Sequence, residues 1–125
     1  MKDVFFNPSG DRLQVGVRFG YPHFASYELL VWESGSNTIV MQRRGNNQNP
    51  DDDDYLMPLP NSNNNGRLVE CICTILNPNL SNGDRYSVTL IVKQGETEIG
   101  NLNIDEPMNA PYVYPDLVIR LIATK

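Results

Sequence analysis

Apolar and polar residues alternate along most of this chain with a period of two, the spacing that puts every second side chain of a β-strand on one face. The clearest case is Tyr86 to Lys93, where Tyr86, Val88, Leu90 and Val92 alternate with Ser87, Thr89, Ile91 and Lys93. Gln94-Gly95-Glu96 then reverses the chain, because Gly takes a positive φ without steric cost, and Thr97 to Ile104 returns as the second strand of a hairpin. In that return strand Thr97 and Ile99 share one parity and Leu102 and Ile104 the other. An extra residue at Gly100, a β-bulge, would bring them together.

The same pattern places Leu13, Val15, Val17 and Phe19 on one face of a strand over Arg12 to Phe19. In Tyr27 to Glu33, Tyr27, Leu29 and Val31 face one way while Leu30 and Trp32 face the other, so both faces are apolar. Such a strand is either central and covered twice or part of a patch that awaits a partner. The cover would come from the segment between Arg44 and Arg67. Ser34 to Asn37 turns the chain into a returning strand, Thr38 to Gln42, which makes a second hairpin. Leu68 to Leu76 and Leu117 to Ala123 complete the set, and Val4-Phe5-Phe6 reads as an edge strand or an arm.

Two stretches lack the pattern and are expected as long loops, at 44–67 and 105–116. The apolar residues from Tyr55 to Leu59 would pin the first to the body. No segment has a capped helical period. About seven strands at short spacings predict an all-β, antiparallel sandwich without substantial helix. At 125 residues, the chain is expected to form one domain over 1–125, long enough to bury roughly two thirds of its unfolded surface.

Gly83-Asp84-Arg85-Tyr86-Ser87-Val88-Thr89-Leu90-Ile91-Val92 resembles the late strands of immunoglobulin-like, fibronectin type III-like and PKD-like sandwiches. The resemblance implies an immunoglobulin-like fold. It further implies that Tyr86 is a tyrosine-corner residue bonded to backbone just upstream, and that Trp32 is the core tryptophan of an early strand. The chain departs from these families by lacking the inter-sheet cysteine pair of true immunoglobulin domains, and by an extra residue between Gly83 and Tyr86 relative to PKD-type strands.

Charge changes the picture by exclusion. The formal net charge is −5, from 15 acidic and 10 basic residues; without Asp51, Asp52, Asp53 and Asp54 the remainder carries about −1. Arg43-Arg44 is the only adjacent basic pair, so nucleic-acid binding and attraction to anionic lipid are disfavoured. No apolar run reaches the length of a membrane helix, and Met1-Lys2-Asp3-Val4 does not lead into a signal-peptide core. Cys71 and Cys73 share one strand face and read as buried thiols, which favours a reducing, cytoplasmic compartment.

The candidate chemistry is sparse. Asp51 to Asp54, with the asparagines around them, gather oxygen donors suited to Ca²⁺, although the spacing is not that of an EF-hand and such runs are commonly just solvated. Tyr21, Tyr55, Tyr112 and Tyr114 fall in connections and could form a sugar-binding surface if the loops converge, or simply cap the sandwich ends. His23 is the only histidine, and no nucleophile motif or phosphate cradle accompanies it, so no enzymatic activity is expected. Leu30 and Trp32 are the best sign of an interface. The sequence therefore favours a non-catalytic module that binds a protein partner or itself, with a carbohydrate- or Ca²⁺-binding sandwich as the alternative; no other cofactor is implied.

Overall fold

A computed structural model of the chain describes residues 1–48 and 53–124. Ten strands are found among them: β1 (Lys2–Phe6), β2 (Leu13–Phe19), β3 (Phe24–Trp32), β4 (Ile39–Asn46), β5 (Asp53–Leu56), β6 (Leu68–Leu76), β7 (Arg85–Gln94), β8 (Thr97–Pro107), β9 (Tyr112–Val113) and β10 (Asp116–Ala123). They form two sheets. One runs β1-β10-β6-β3-β4 with β9 added beside β6, and the other runs β5-β2-β7-β8. All pairings are antiparallel except β1 with β10, which is parallel.

The two sheets bury the faces that alternation selects. Leu13, Val15 and Val17 of β2 and Val88, Leu90 and Val92 of β7 meet Leu29 and Val31 of β3, Val69 and Cys71 of β6, and Leu117, Ile119 and Leu121 of β10 in one interior cluster. Apolar burial of this kind is the dominant favourable term in folding. Cys71 and Cys73 are both buried in this interior with their Sγ atoms 3.5 Å apart and unbridged. Gly95 has φ of 59° at the turn of the β7–β8 hairpin, as its place between the two strands requires. The bulge in that hairpin sits one residue earlier than expected. Val92 pairs with Gly100 and Lys93 with Glu98, so Ile99 is the extra residue.

Several expectations are corrected. The segment 44–67 is not one long loop: β4 continues through Asn46, β5 adds an edge to the second sheet, Met57 is fully buried, and Asn61–Asn64 forms a 3-10 turn. The segment 105–116 likewise contains the end of β8 and all of β9. Three short strands, β1, β5 and β9, raise the count above seven. Tyr86 is not bonded to upstream backbone; its hydroxyl donates to Glu106 Oε2 at 2.9 Å, directly across the β7–β8 pair. Trp32 is not a core residue either. It lies on the outward side of β3, because the inward positions belong to Tyr27, Leu29 and Val31.

A polar lock closes one side of the sandwich. Tyr27 reaches inward from β3 and donates to Asp53 Oδ2 of β5 at 2.6 Å, while its hydroxyl also bonds that of Tyr55. Burial, and then the Asp53 and Tyr55 contacts, push the Tyr27 phenol well above its ordinary pKa, so it stays a neutral donor. Tyr27→Phe deletes the donor and should destabilise the fold by about 1–2 kcal/mol. The measurement is the urea midpoint, which should fall while the slope of the transition stays that of the parent.

Candidate functional site

The two outward sheet faces differ in character. On the four-stranded sheet the outward positions include Gln14 and Arg18 of β2, Thr89, Ile91 and Lys93 of β7, Asn101 and Asn103 of β8, and Asp54 and the exposed Leu56 of β5, with Asp54 held by Arg18 at 2.9 Å and Lys93 at 3.4 Å. On the other sheet, register puts Phe5 of β1, Phe24 of β3, Ile39 of β4, Ile72 of β6 and Tyr112 of β9 on the outward side, all exposed. These make up half of the large exposed apolar side chains among the described residues. A concentration of that kind on one face, against a single such side chain, Leu56, on the other, marks an interaction surface more than it marks chance exposure.

Two hollows lie at opposite ends of this face. The first, an open cleft of about 280 Å³, is lined by Trp32, Ser36, Asn37, Leu68, Glu70 and Val118. Cross-strand register explains the grouping: Trp32 faces Leu68, and Glu70 faces both Leu30 and Val118. Trp32 Nε1–H donates to Glu70 Oε1 at 3.1 Å. Leu30, expected on this face, is only 5% exposed; it stands between Gln42 and Glu70 and contributes a floor more than a contact. Of the described part of the segment after Arg44, β5 joins the other sheet, and Asn46 and Gln48 border this face only at its Phe24 end.

The electrostatics of the first cleft are unusual for a sheet surface. Partial burial and then the hydrogen bond that a protonated Glu70 donates to the neighbouring Asp116 carboxylate raise the pKa of Glu70, outweighing the Trp32 N–H that favours its charge. The bases on this face are engaged elsewhere. Arg120 forks onto both Asp3 oxygens at 2.9 Å, and Arg44 is 2.8 Å from Glu28.

The second hollow, about 340 Å³, is bounded by Phe24, Ala25, Ser26, Asn46, Gln48, Thr74, Leu76 and Tyr112. Tyr114 stacks on Tyr112, with ring centroids 6.4 Å apart and planes 5° from parallel. Of the four tyrosines expected in loops, only these two are brought together. Tyr21 lies by His23 and reaches Asp105 at 3.4 Å, and Tyr55 is in β5 with its hydroxyl on Tyr27. The His23 ring instead bonds the Arg85 carbonyl through Nε2 at 2.8 Å.

The aspartate run divides in the same way. Asp53 accepts from Tyr27 and Asp54 is paired with Arg18 and Lys93, while Asp51 and Asp52 lie outside the described residues. Among the described residues, no group of three or more His, Cys, Asp or Glu side chains is placed to hold a metal ion. No helix among them is long and apolar enough to cross a membrane. The sequence reading found Leu30 and Trp32 but missed Glu70, Asp116, Leu68 and Val118. Only strand order, which joins β3 to β6 and β6 to β10, makes neighbours of them. Comparison with protein-family models, curated proteins and solved structures finds no match.

Proposed function

We propose that this chain is a non-catalytic β-sandwich module that docks a polypeptide partner on the outward face of its larger sheet. The observation that carries this reading is the number of large exposed apolar side chains gathered on that face, Phe5, Phe24, Ile39, Ile72 and Tyr112, against Leu56 alone on the face opposite. From Phe24 to Trp32 the face is roughly 26 Å long and roughly 19 Å wide across its strands. That is the scale of one side of a small, transient protein–protein contact. An immunoglobulin-like fold would rest on the stretch from Gly83 to Val92 alone, and the docking reading does not need it.

The test is selection of a random phage-displayed peptide library on the whole chain. Enriched clones should lose at least tenfold in binding to Ile72→Asp or Trp32→Asp, and keep it with Thr89→Asp on the opposite face. Urea midpoints would establish that all three variants remain folded. Clones that bind all variants equally would overturn the reading. If wild type dimerises with concentration in sedimentation and Ile72→Asp does not, the polypeptide is a second copy of the chain.

A second reading draws on the other hollow. Phe24 and Tyr112 beside Ser26, Thr74, Asn46 and Gln48 offer an apolar platform with amide and hydroxyl partners, the combination on which a sugar ring can rest. Retardation in gels containing soluble polysaccharides, abolished by Phe24→Ala, would support it. The Ca²⁺ version of ligand binding now leans on Asp51 and Asp52, because Asp53 and Asp54 have protein partners.

A further inference from the structure

We propose that the cleft beside Trp32 receives one basic side chain, a lysine ammonium or an arginine guanidinium, from the docked polypeptide. This deepens the docking reading and rests on it. The walls given by Trp32, Leu68 and Val118 suit the methylene stem that both residues bury while keeping their heads polar. At the end of that path stands Glu70, with Asp116 beside it and the indole edge fixed by the Trp32 Nε1–H bond. An aromatic ring and a carboxylate around an apolar slot form a complement to a cation, through ring-face attraction and a charge-assisted hydrogen bond.

The molecule itself supplies no such cation among its described residues near the cleft. Arg120, opposite Leu68, is held by Asp3; Arg44 is held by Glu28; and Arg67 is buried on Glu33 and Asn64. Arg43 is exposed and donates to the Gln42 carbonyl at 2.8 Å. Two carboxyls side by side with no base cost the free fold stability, since like charges across a sheet repel. Stability conceded at one place on an otherwise consistent sheet is characteristic of a binding position.

The arrangement also sets a sign for pH. The charged groups facing Glu70 are Asp116 and, farther off, Arg120 on β10 and Glu28 on β3. In the free protein the raised pKa keeps a proton on Glu70 above the ordinary 4.5 of a glutamate. A cation prefers the ionised carboxylate, so its binding releases that proton and strengthens as pH rises through the raised pKa of Glu70.

Trp32 is the only tryptophan, so its emission reports the cleft directly. The probes are Nα-acetyl-arginine amide, Nα-acetyl-lysine amide and, as the uncharged isostere, Nα-acetyl-citrulline amide, titrated into the whole chain. Saturable emission changes are expected with the first two and not the third. Glu70→Gln, which keeps an acceptor for the indole N–H and removes the repulsion, should stay at least as stable as wild type. It should bind the arginine amide at least fivefold more weakly and lose the pH dependence, whereas Glu28→Gln should change affinity less than twofold. Equal response to citrulline, or unchanged binding by Glu70→Gln, would overturn the proposal. Library peptides that need Ile72 and Trp32 but carry no required Lys or Arg would sink this inference and leave docking intact. An arginine amide that binds while Ile72→Asp keeps every peptide would do the reverse.

Discussion

Phe6→Ala should destabilise the protein by about 3–5 kcal/mol, as deletion of a fully buried aromatic does elsewhere. Phe6 is 1% exposed while its neighbour Phe5 is 58% exposed, because alternation along β1 sends one ring inward and the other out. The strand is held from both sheets. Its register with β10 pairs Phe6 with Ala123, the Phe6 carbonyl accepts from the Thr124 amide at 2.8 Å, and the Asn7 backbone exchanges two 2.9 Å bonds with the Gln94 side chain at the end of β7. Val4 lies against Gly100 of β8 so closely that a Cβ there would come within 2.8 Å of both its methyls. The terminal strand therefore plugs the side of the sandwich between β10 and β8, opposite the Tyr27–Asp53–Tyr55 lock. Phe5→Ala is the internal control and should move the urea midpoint by no more than about 0.5 kcal/mol equivalent. For a domain whose total stability is of order 5–15 kcal/mol, the Phe6 change should be the difference between a stable and a marginal fold.

The same two-residue period explains what the amino-acid sequence made legible. It placed Leu13, Val15 and Val17 inside, the β7–β8 hairpin at Gly95, and Leu30 and Trp32 on the face opposite Leu29 and Val31; the structure has all of these. Two short strands escaped for different reasons. β5 reads Asp53-Asp54-Tyr55-Leu56, which looks solvated until Arg18 and Lys93 neutralise Asp54 from outside and Tyr27 meets Asp53 and Tyr55 from within. Those partners come from distant strands, and no local window contains them. β9 is only two residues, held by pairing with Ile75 and Leu76. The candidate cleft was half legible for the same reason: parity points Trp32 outward, but that Glu70 and Asp116 meet beside it depends on β6 lying between β3 and β10.

The Asn-rich stretch Asn61-Ser62-Asn63-Asn64-Asn65 carries the second large expected effect, although its composition suggests a featureless loop. Asn61 is buried. Its Nδ2 donates to the Gly10 and Asp11 carbonyls at 3.1 and 2.8 Å, and its Oδ1 accepts from the Leu13 amide at 3.4 Å. One side chain thus satisfies three backbone groups where the chain enters β2, while the Arg12 guanidinium donates to the Met57 carbonyl at 2.9 Å and fastens the same two segments. Asn61→Ala would remove all three bonds; the Asp11 carbonyl keeps the Gln94 amide at 2.9 Å and Gly10 is exposed, so the loss falls chiefly on the buried Leu13 amide and the emptied space, and should cost about 1–3 kcal/mol. Asn63→Ala, exposed two residues away, should cost about 0.5 kcal/mol or less. Asn61→Asp separates shape from hydrogen bonding, since it keeps the acceptor and the size but replaces two donors with a carboxylate aimed at carbonyl oxygens. The charged form is disfavoured in that setting, so the folded-state pKa of the new aspartate should rise above its unfolded value. Its proton is then bound more tightly by the folded state, so the stability of Asn61→Asp relative to wild type should improve as pH falls through the folded-state pKa, a difference that paired urea titrations from pH 7 to pH 4 would measure. A pH-independent stability equal to that of wild type would mean that the two donor bonds contribute nothing and that Asn61 acts by filling space and accepting from Leu13 alone.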